Sequence, residues 1–183
     1  MLNKKVADLL NDQINKELYS AYLYLDMNNY FEKRGLSGFA NWYRIQTMEE
    51  RDHAMLFYQY MQNNDCPVTL EAIAKPDKVF TCDMDVLKAG LAHEEYVTSL
   101  IHNIYAEAYA VKDFRTMQFL DWFVKEQGEE ETNARDMITK MELFGNDPKS
   151  LYMLNQELAA RRLYRGRLRK NRQKFQHTRR LCL

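Results

Sequence analysis

Two stretches of this 183-residue chain carry the same spacing of metal-competent side chains. Glu17 is followed thirty-three residues later by Glu50, with His53 three positions beyond; Glu94 is followed thirty-three residues later by Gln127, with Glu130 three positions beyond. Equal offsets are what two similar helical hairpins produce. If the first turns near Gly35 and the second near Lys112, each leading glutamate precedes its turn by about 18 residues and its partner follows by about 15, and at about 1.5 Å per residue those arms differ by about one helical turn. Glu17 then faces Glu50 and His53, and Glu94 faces Gln127 and Glu130. Residues three apart share a helix face, so both partners on each returning helix point the same way. Six such side chains at matching levels describe a buried dinuclear metal site.

The punctuation of the chain supports four long helices and a short fifth. All three prolines fall outside the periodic stretches, where they would break a helix: Pro67 and Pro76 in one connection, Pro148 at the start of a late helix. The spacing predicts a first helix from about Asn3 to Arg34, stopped by Gly35, and a second from an N-cap at Ser37 to about Asn63. A third begins after Asp83, a fourth runs from near Asp113 to Gly145, and Asp147-Pro148 opens a fifth reaching about Ala160. The first and third connections are short, which makes antiparallel neighbours. The link from Asn64 to Asp83 is long enough, at more than about 60 Å when extended, to cross the full length of a helix of about 40 Å.

Each long helix has one apolar stripe that the ligand candidates interrupt. On the first it reads Val6, Leu10, Ile14, Glu17, Ala21, Tyr24, Asn28, Phe31; on the second Phe39, Tyr43, Gln46, Glu50, His53, Phe57. On the third it reads Leu87, Gly90, Glu94, Val97, Ile101, and on the fourth Leu120, Phe123, Gln127, Glu130, Ala134, Met137. The acids therefore point into the core. Four carboxylates there need protons or cations, because an isolated buried charge is opposed by several kcal/mol. Two divalent ions would balance Glu17, Glu50, Glu94 and Glu130. Oxygen-rich ligation with a single imidazole suits iron or manganese better than a thiolate-seeking metal. Taken singly, each of these residues reads first as a solvated face position or a satisfied core histidine; the repetition across four helices is what favours metal.

With 46% hydrophobic residues the chain can fill one core, and one domain is the expectation for residues 1–160. The N-terminal segment lacks an apolar signal region and no apolar run approaches membrane-spanning length, so the expectation is a cytoplasmic protein without a membrane partner. Cys66, Cys82 and Cys182 have no paired spacing and read as reduced thiols. The formal net charge of zero hides an asymmetry, because residues 161–183 hold ten Lys or Arg and no acid. An acidic body carries a basic tail.

At the paired ligand motifs the chain resembles the bacterial non-haem ferritins, over about 160 of its 183 residues. Ferritin-like bundles are the standard instance of Glu plus Glu-x-x-His ligation. The second motif, Gln127-x-x-Glu130, matches ferritins proper rather than bacterioferritins or rubrerythrins, which would repeat Glu-x-x-His. Arg51 stands where a bacterioferritin presents its haem-binding methionine, and no Cys-x-x-Cys is present for a rubredoxin module, so the resemblance implies iron without haem. It implies an all-α, ferritin-like four-helix bundle with one long crossover and a short C-terminal fifth helix. Glu17, Glu50 and His53 would hold one iron, Glu50 would bridge, and Glu94, Glu130 and Gln127 would hold the second, giving two per subunit.

A third iron position in prokaryotic ferritins has ligand types matching Glu49, Glu126, Glu129 and Glu130; the alternative for Glu126, Glu129 and Glu131 is an acidic solvent face. Tyr24 matches the family's site tyrosine, a supporting or electron-donating group, the alternative being a core aromatic with a bonded hydroxyl. Trp122 lies close by on the fourth helix. The implied activity is a ferroxidase: two Fe(II) bind, O2 or H2O2 oxidises them, and the ferric product leaves to mineralise in a cavity.

The fifth helix offers Leu151, Leu154 and Leu158 after the bundle is complete, and a stripe without a partner in its own subunit predicts self-association. By resemblance the assembly is a hollow shell of 24 subunits. The family's acidic entry pores lie near the start of the fourth helix, where this chain keeps only Asp113 and Asp121. The tail has no counterpart in the resemblance. It would neutralise the lumen or retain nucleic acid or another polyanion, making the chain a cargo-binding cage as the alternative function; equally it is a disordered extension, or a cloning or frameshift scar.

Overall fold

The computed structural model describes residues 2–163. They form α1 (Lys4–Lys33), α2 (Ser37–Asn63), α3 (Asp83–Ala110), α4 (Phe114–Phe144) and α5 (Pro148–Ala159). The expected all-α, ferritin-like arrangement is present, with boundaries within a residue or two of those read from the sequence. Expectations about the basic tail beyond Leu163 lie outside the described residues.

Three helices end in the same way. Gly35 (φ +71°), Asp65 (φ 52°) and Lys112 (φ 56°) each adopt the left-handed conformation just past a helix. The next amide then reaches back to the last turn: Leu36 to Phe31 O at 3.0 Å, Cys66 to Met61 O at 3.0 Å, Asp113 to Ala108 O at 2.8 Å. The turn expected near Lys112 is therefore real, although no glycine marks it. Ser37 does not cap α2 as expected. It is the first helical residue, Leu36 is the N-cap without a side-chain bond, and the cap comes from α5, where Asn155 Oδ1 accepts from Gly38 N (2.8 Å) and Phe39 N (3.3 Å). Gly38 permits that approach, since a Cβ there would lie 1.7 Å from the Asn155 carbonyl oxygen.

The link between α2 and α3 contains no helix or strand and crosses the full length of α1. Asn11 exchanges two hydrogen bonds with the backbone of Thr69, and Asn15 Nδ2 donates to Glu71 O and Ala72 O. At the far end of α1, Tyr30 packs edge-on against Phe80, and Tyr30 and Arg34 both donate to Asp83. The strap delivers α3 antiparallel to α1, and Lys5 meets Glu107 at 2.6 Å where α3 ends.

The core is in two parts. One cluster joins Val6, Leu10 and Ile14 of α1 to Phe57, Val97 and Phe123; the other joins Leu23, Met27 and Phe31 to Phe39, Leu87 and Met137. On every long helix the ligand candidates fall between the two. Aromatic side chains hold α2 and α4 apart, with the Tyr60 and Phe119 ring centroids at 4.1 Å and those of Phe57 and Phe123 at 4.3 Å. The polar centre occupies the space that this separation leaves.

One expectation is corrected. The leucine stripe of α5 has a partner in its own subunit: Leu154 and Leu158 are each 4% exposed and belong to the second cluster, with Leu151 packed against it. Asn155 docks α5 onto α2, so this stripe is no argument for self-association. A different surface is. Leu18, Tyr22, Leu25, Met48 and Ile73 line an open groove of about 450 Å³ between α1, α2 and the strap.

Candidate metal centre

The first half-site is assembled as its spacing predicts. Glu17, Glu50 and His53 are buried and each offers a ligand atom, all within 4.8 Å of one another. His53 Nδ1 lies 3.3 Å from Glu50 Oε2, and the ring is held edge-on by Trp122 and Phe123 at centroid distances of 5.4 and 5.9 Å. Trp122 thus fixes an imidazole plane as well as filling the core. Gln13, one turn before Glu17, donates to Glu17 Oε1 at 2.9 Å.

The second half-site brings Glu94, Gln127 and Glu130 to the same level, all buried. Tyr24 Oη donates to Glu94 Oε1. Gln127 Nε2 donates to Glu94 Oε2 (3.2 Å) and Glu94 O (3.3 Å). Glu130 Oε2 accepts from Gln46 Nε2 at 2.9 Å. Tyr24 therefore bonds a ligand carboxylate directly, which suits the supporting role and also fills the core as the alternative reading has it.

The electrostatics are those of acids without enough positive charge. Burial, reinforced by Glu50, lifts Glu17 to about 8. Burial, reinforced by Glu130, lifts Glu94 to about 8. Glu50 is held well above the ordinary carboxylate range by burial and then by Glu94 and Glu130. A proton satisfies one such acid at a time, whereas a divalent ion satisfies several. The donor set fits such an ion: among the described residues Glu17 Oε2 and Gln46 Oε1 are buried with no hydrogen-bond partner. A cavity of about 20 Å³ bordered by Gln46, Glu94 and Glu130 has room for one small occupant. Carboxylate and amide oxygens with one imidazole fit a hard or borderline divalent cation.

Of the outlying acids, Glu49 is mostly buried and paired with Arg161, with Nη2 to Oε2 at 2.7 Å. Burial outweighs that pairing and lifts Glu49 to about 7. Glu129 lies 3.6 Å from Lys125. Glu126 and Glu129 are half-buried, and Glu131 is bound by Thr98 and Arg135 at 2.7 and 2.6 Å. Of the two acids near the start of α4, Asp113 caps it through Thr116 N, and Asp121 accepts from Tyr105 Oη.

Sequence reasoning assigned no role to Gln13, Gln46 or His93. Gln13 was detectable, since it stands four residues before Glu17 on its own helix, whereas the bond from Gln46 to Glu130 joins α2 to α4. His93 had no spacing signal. It packs edge-on to Tyr24 at 5.8 Å, bonds Ser20 Oγ through Nε2 at 2.8 Å, and burial lowers it to about 4. It packs among Tyr19, Tyr24 and Tyr96 beside the centre.

Fold and centre together define a class: a helical bundle with a buried, carboxylate-rich cluster suited to metal in its middle. The ferritin-like domain profile matches residues 7–144. A bacterial non-heme ferritin from Campylobacter jejuni is 36% identical over 156 residues, spanning 85% of this chain and 93% of that protein. One from Staphylococcus saprophyticus is 37% identical over 161 residues, spanning 88% and 96%. Among solved structures, an engineered closed form of the Archaeoglobus fulgidus ferritin superposes with a TM-score of 0.87 at 40% identity, covering 90% of this chain and all of that one. The open-pore ferritin of the same archaeon gives a TM-score of 0.86 at 40% identity, covering 88% and 100%. The chain belongs to the ferritin family and is an iron-storage protein of the non-haem kind.

Proposed function

We propose that each subunit is a ferroxidase that oxidises Fe(II) at the centre among the four long helices and passes Fe(III) to a mineral store, without haem. The observation that carries this reading is the meeting of four acids and His53 where the two apolar clusters part, with Glu17 Oε2 unpartnered. Iron is the substrate, two ions at a time, one held by Glu17, Glu50 and His53 and the other by Glu94, Glu130 and Gln127, with Glu50 between them. Each Fe(II) gives up one electron. O2 takes the pair with two protons to become H2O2, or H2O2 takes it with two protons to become two waters. The protein supplies position, charge balance and exclusion of bulk water. Tyr24 donates to Glu94 and holds that ligand in place. Aerobic mixing with two Fe(II) per subunit tests the reading: ferric absorbance rising no faster than for free iron in the same buffer would contradict it.

Gln127 sets release. A neutral amide holds Fe(III) less tightly than a carboxylate would, and its Nε2 donates to Glu94. Gln127→Glu adds an acid beside Glu94, and oxidised iron is expected to leave the centre about tenfold more slowly. Stopped-flow decay of the centre's ferric absorbance reads this directly; parent-like release would refute the role.

Storage needs a compartment. The apolar groove of Leu18, Tyr22, Leu25, Met48 and Ile73 leaves a face for a second copy. The inference is a homo-oligomeric shell of 24 subunits in the cytoplasm. Light scattering of the purified protein is expected to show a single large assembly, and a stable monomer would contradict it.

A further inference from the structure

Glu49 meets a cation from a part of the chain that the metal centre does not otherwise use. Arg161 follows Ala160, the C-cap of α5, and its side chain runs back across α2. The guanidinium lies 3.9 Å over the Trp42 ring. Nη1 donates to Trp42 O at 3.3 Å, and Nη2 donates to Glu49 Oε2 at 2.7 Å. Asn41 Nδ2 donates to the Arg161 carbonyl at 3.2 Å. The paired side chains are only 18% and 21% exposed. Stacked, bonded and partly shielded, this is a built contact rather than one of the exposed ion pairs that contribute little. Glu49 directly precedes Glu50 on α2, and Glu130, His53 and Glu126 also act on it, so the pair sits at the rim of the proposed centre.

We propose that Arg161 is an internal counter-cation for the acids at this rim, seated on Glu49 in the metal-free protein, and that a metal ion takes the rim position only by displacing it. The proposal rests on the metal-centre reading above. A guanidinium keeps its proton at any working pH, so the acid is yielded by exchange of one cation for another. The consequence is an order of filling: two ions enter the dinuclear centre first, and a third is held at Glu49 only at higher metal concentration. The same exchange releases Arg161 from Glu49 and Trp42, the contacts that tie the end of α5 to α2.

Zn(II), which undergoes no redox step, is the probe. Calorimetric titration of the metal-free assembly is expected to give two tight ions per subunit and a weaker third. Arg161→Gln is expected to bind the third ion about tenfold more tightly and the first two unchanged. Arg161→Lys keeps the charge but loses the planar fork and the stack, and is expected to fall between. Glu49→Gln is expected to remove the third ion alone. A third-ion affinity equal in the parent and Arg161→Gln overturns the proposal, as does no third ion in either. Should Arg161→Gln fail to assemble, parent-like third-ion affinity in Arg161→Lys overturns it equally. In each of these cases the two tight ions persist and the metal-centre reading stands; their absence from the parent would remove that reading and the proposal with it.

Discussion

Replacing Glu94 with alanine is expected to slow Fe(II) oxidation more than about a hundredfold, since loss of a partner that merely orients a ligand already lowers metal affinity or activity about 10- to 100-fold. Three interactions end at this carboxylate. It is one of four acids that balance the ions, it accepts from Tyr24 Oη, and it accepts from Gln127 Nε2. Alanine removes a candidate ligand and leaves the buried Tyr24 hydroxyl without its acceptor, while Gln127 Nε2 keeps the Glu94 backbone carbonyl. Glu94→Gln is the sharper control, because it keeps the volume and removes the charge. Its oxidation rate is expected to fall nearly as far while the metal-free bundle melts no lower than the parent, because the lost charge is one that burial already disfavours. The initial ferric absorbance after rapid mixing, read beside a melting curve, separates loss of a ligand from loss of the fold. Parent-like oxidation by Glu94→Gln would show that the second half-site does no chemistry.

The metal-free protein is expected to lose thermal stability as pH rises from 6.5 to 8.5, by about 5–10 °C. Glu17 and Glu94 titrate near 8 in the folded chain, above the ordinary 4.5. The folded state therefore prefers them protonated. Their contribution is complete below about 4.5 and is lost as pH climbs through about 8, because the unfolded chain gives up those protons first. Glu49, near 7, acts in the same direction. His93, lowered to about 4 from 6.5, acts in the opposite direction but only below 6.5, so the window above that value isolates the acids. Divalent metal takes over from the protons. With Zn(II) bound, the fall is expected to vanish, and calorimetry in buffers of different ionisation enthalpy should show about two protons released per pair of ions near pH 7, declining toward pH 9. A flat melting profile across the window with no proton release would mean that the acids are hydrated rather than buried.

The clustering of the candidate ligands was legible because their spacing repeats. Glu17 to Glu50 and Glu94 to Gln127 obey helical periodicity, and a periodic pattern survives any uncertainty about how four helices are packed. Gln13 lay within reach of the same logic, one turn before Glu17, whereas Gln46 bonds Glu130, 84 residues away on α4. The contacts that escaped join residues far apart in sequence with no period between them. Asn155 capping α2 at Gly38, and Arg161 on Glu49, bridge 117 and 112 residues. They depend on the angle at which α5 folds back, and no local signal encodes it. The same angle buries Leu154 and Leu158, which in sequence looked unpartnered. Ser37 shows the limit of cap rules: its residue type suits an N-cap, yet a tertiary contact supplies the cap and shifts the helix start by one position.

The central claim is that a pair of cations makes four inward-facing carboxylates tolerable. Crystals soaked anaerobically in ferrous salt and measured at the iron absorption edge test it most directly. Two anomalous peaks per subunit are expected between α1, α2, α3 and α4, one against Glu17, Glu50 and His53 and the other against Glu94 and Glu130. Anomalous density confined to surface acids, with none between the four helices, would contradict the account.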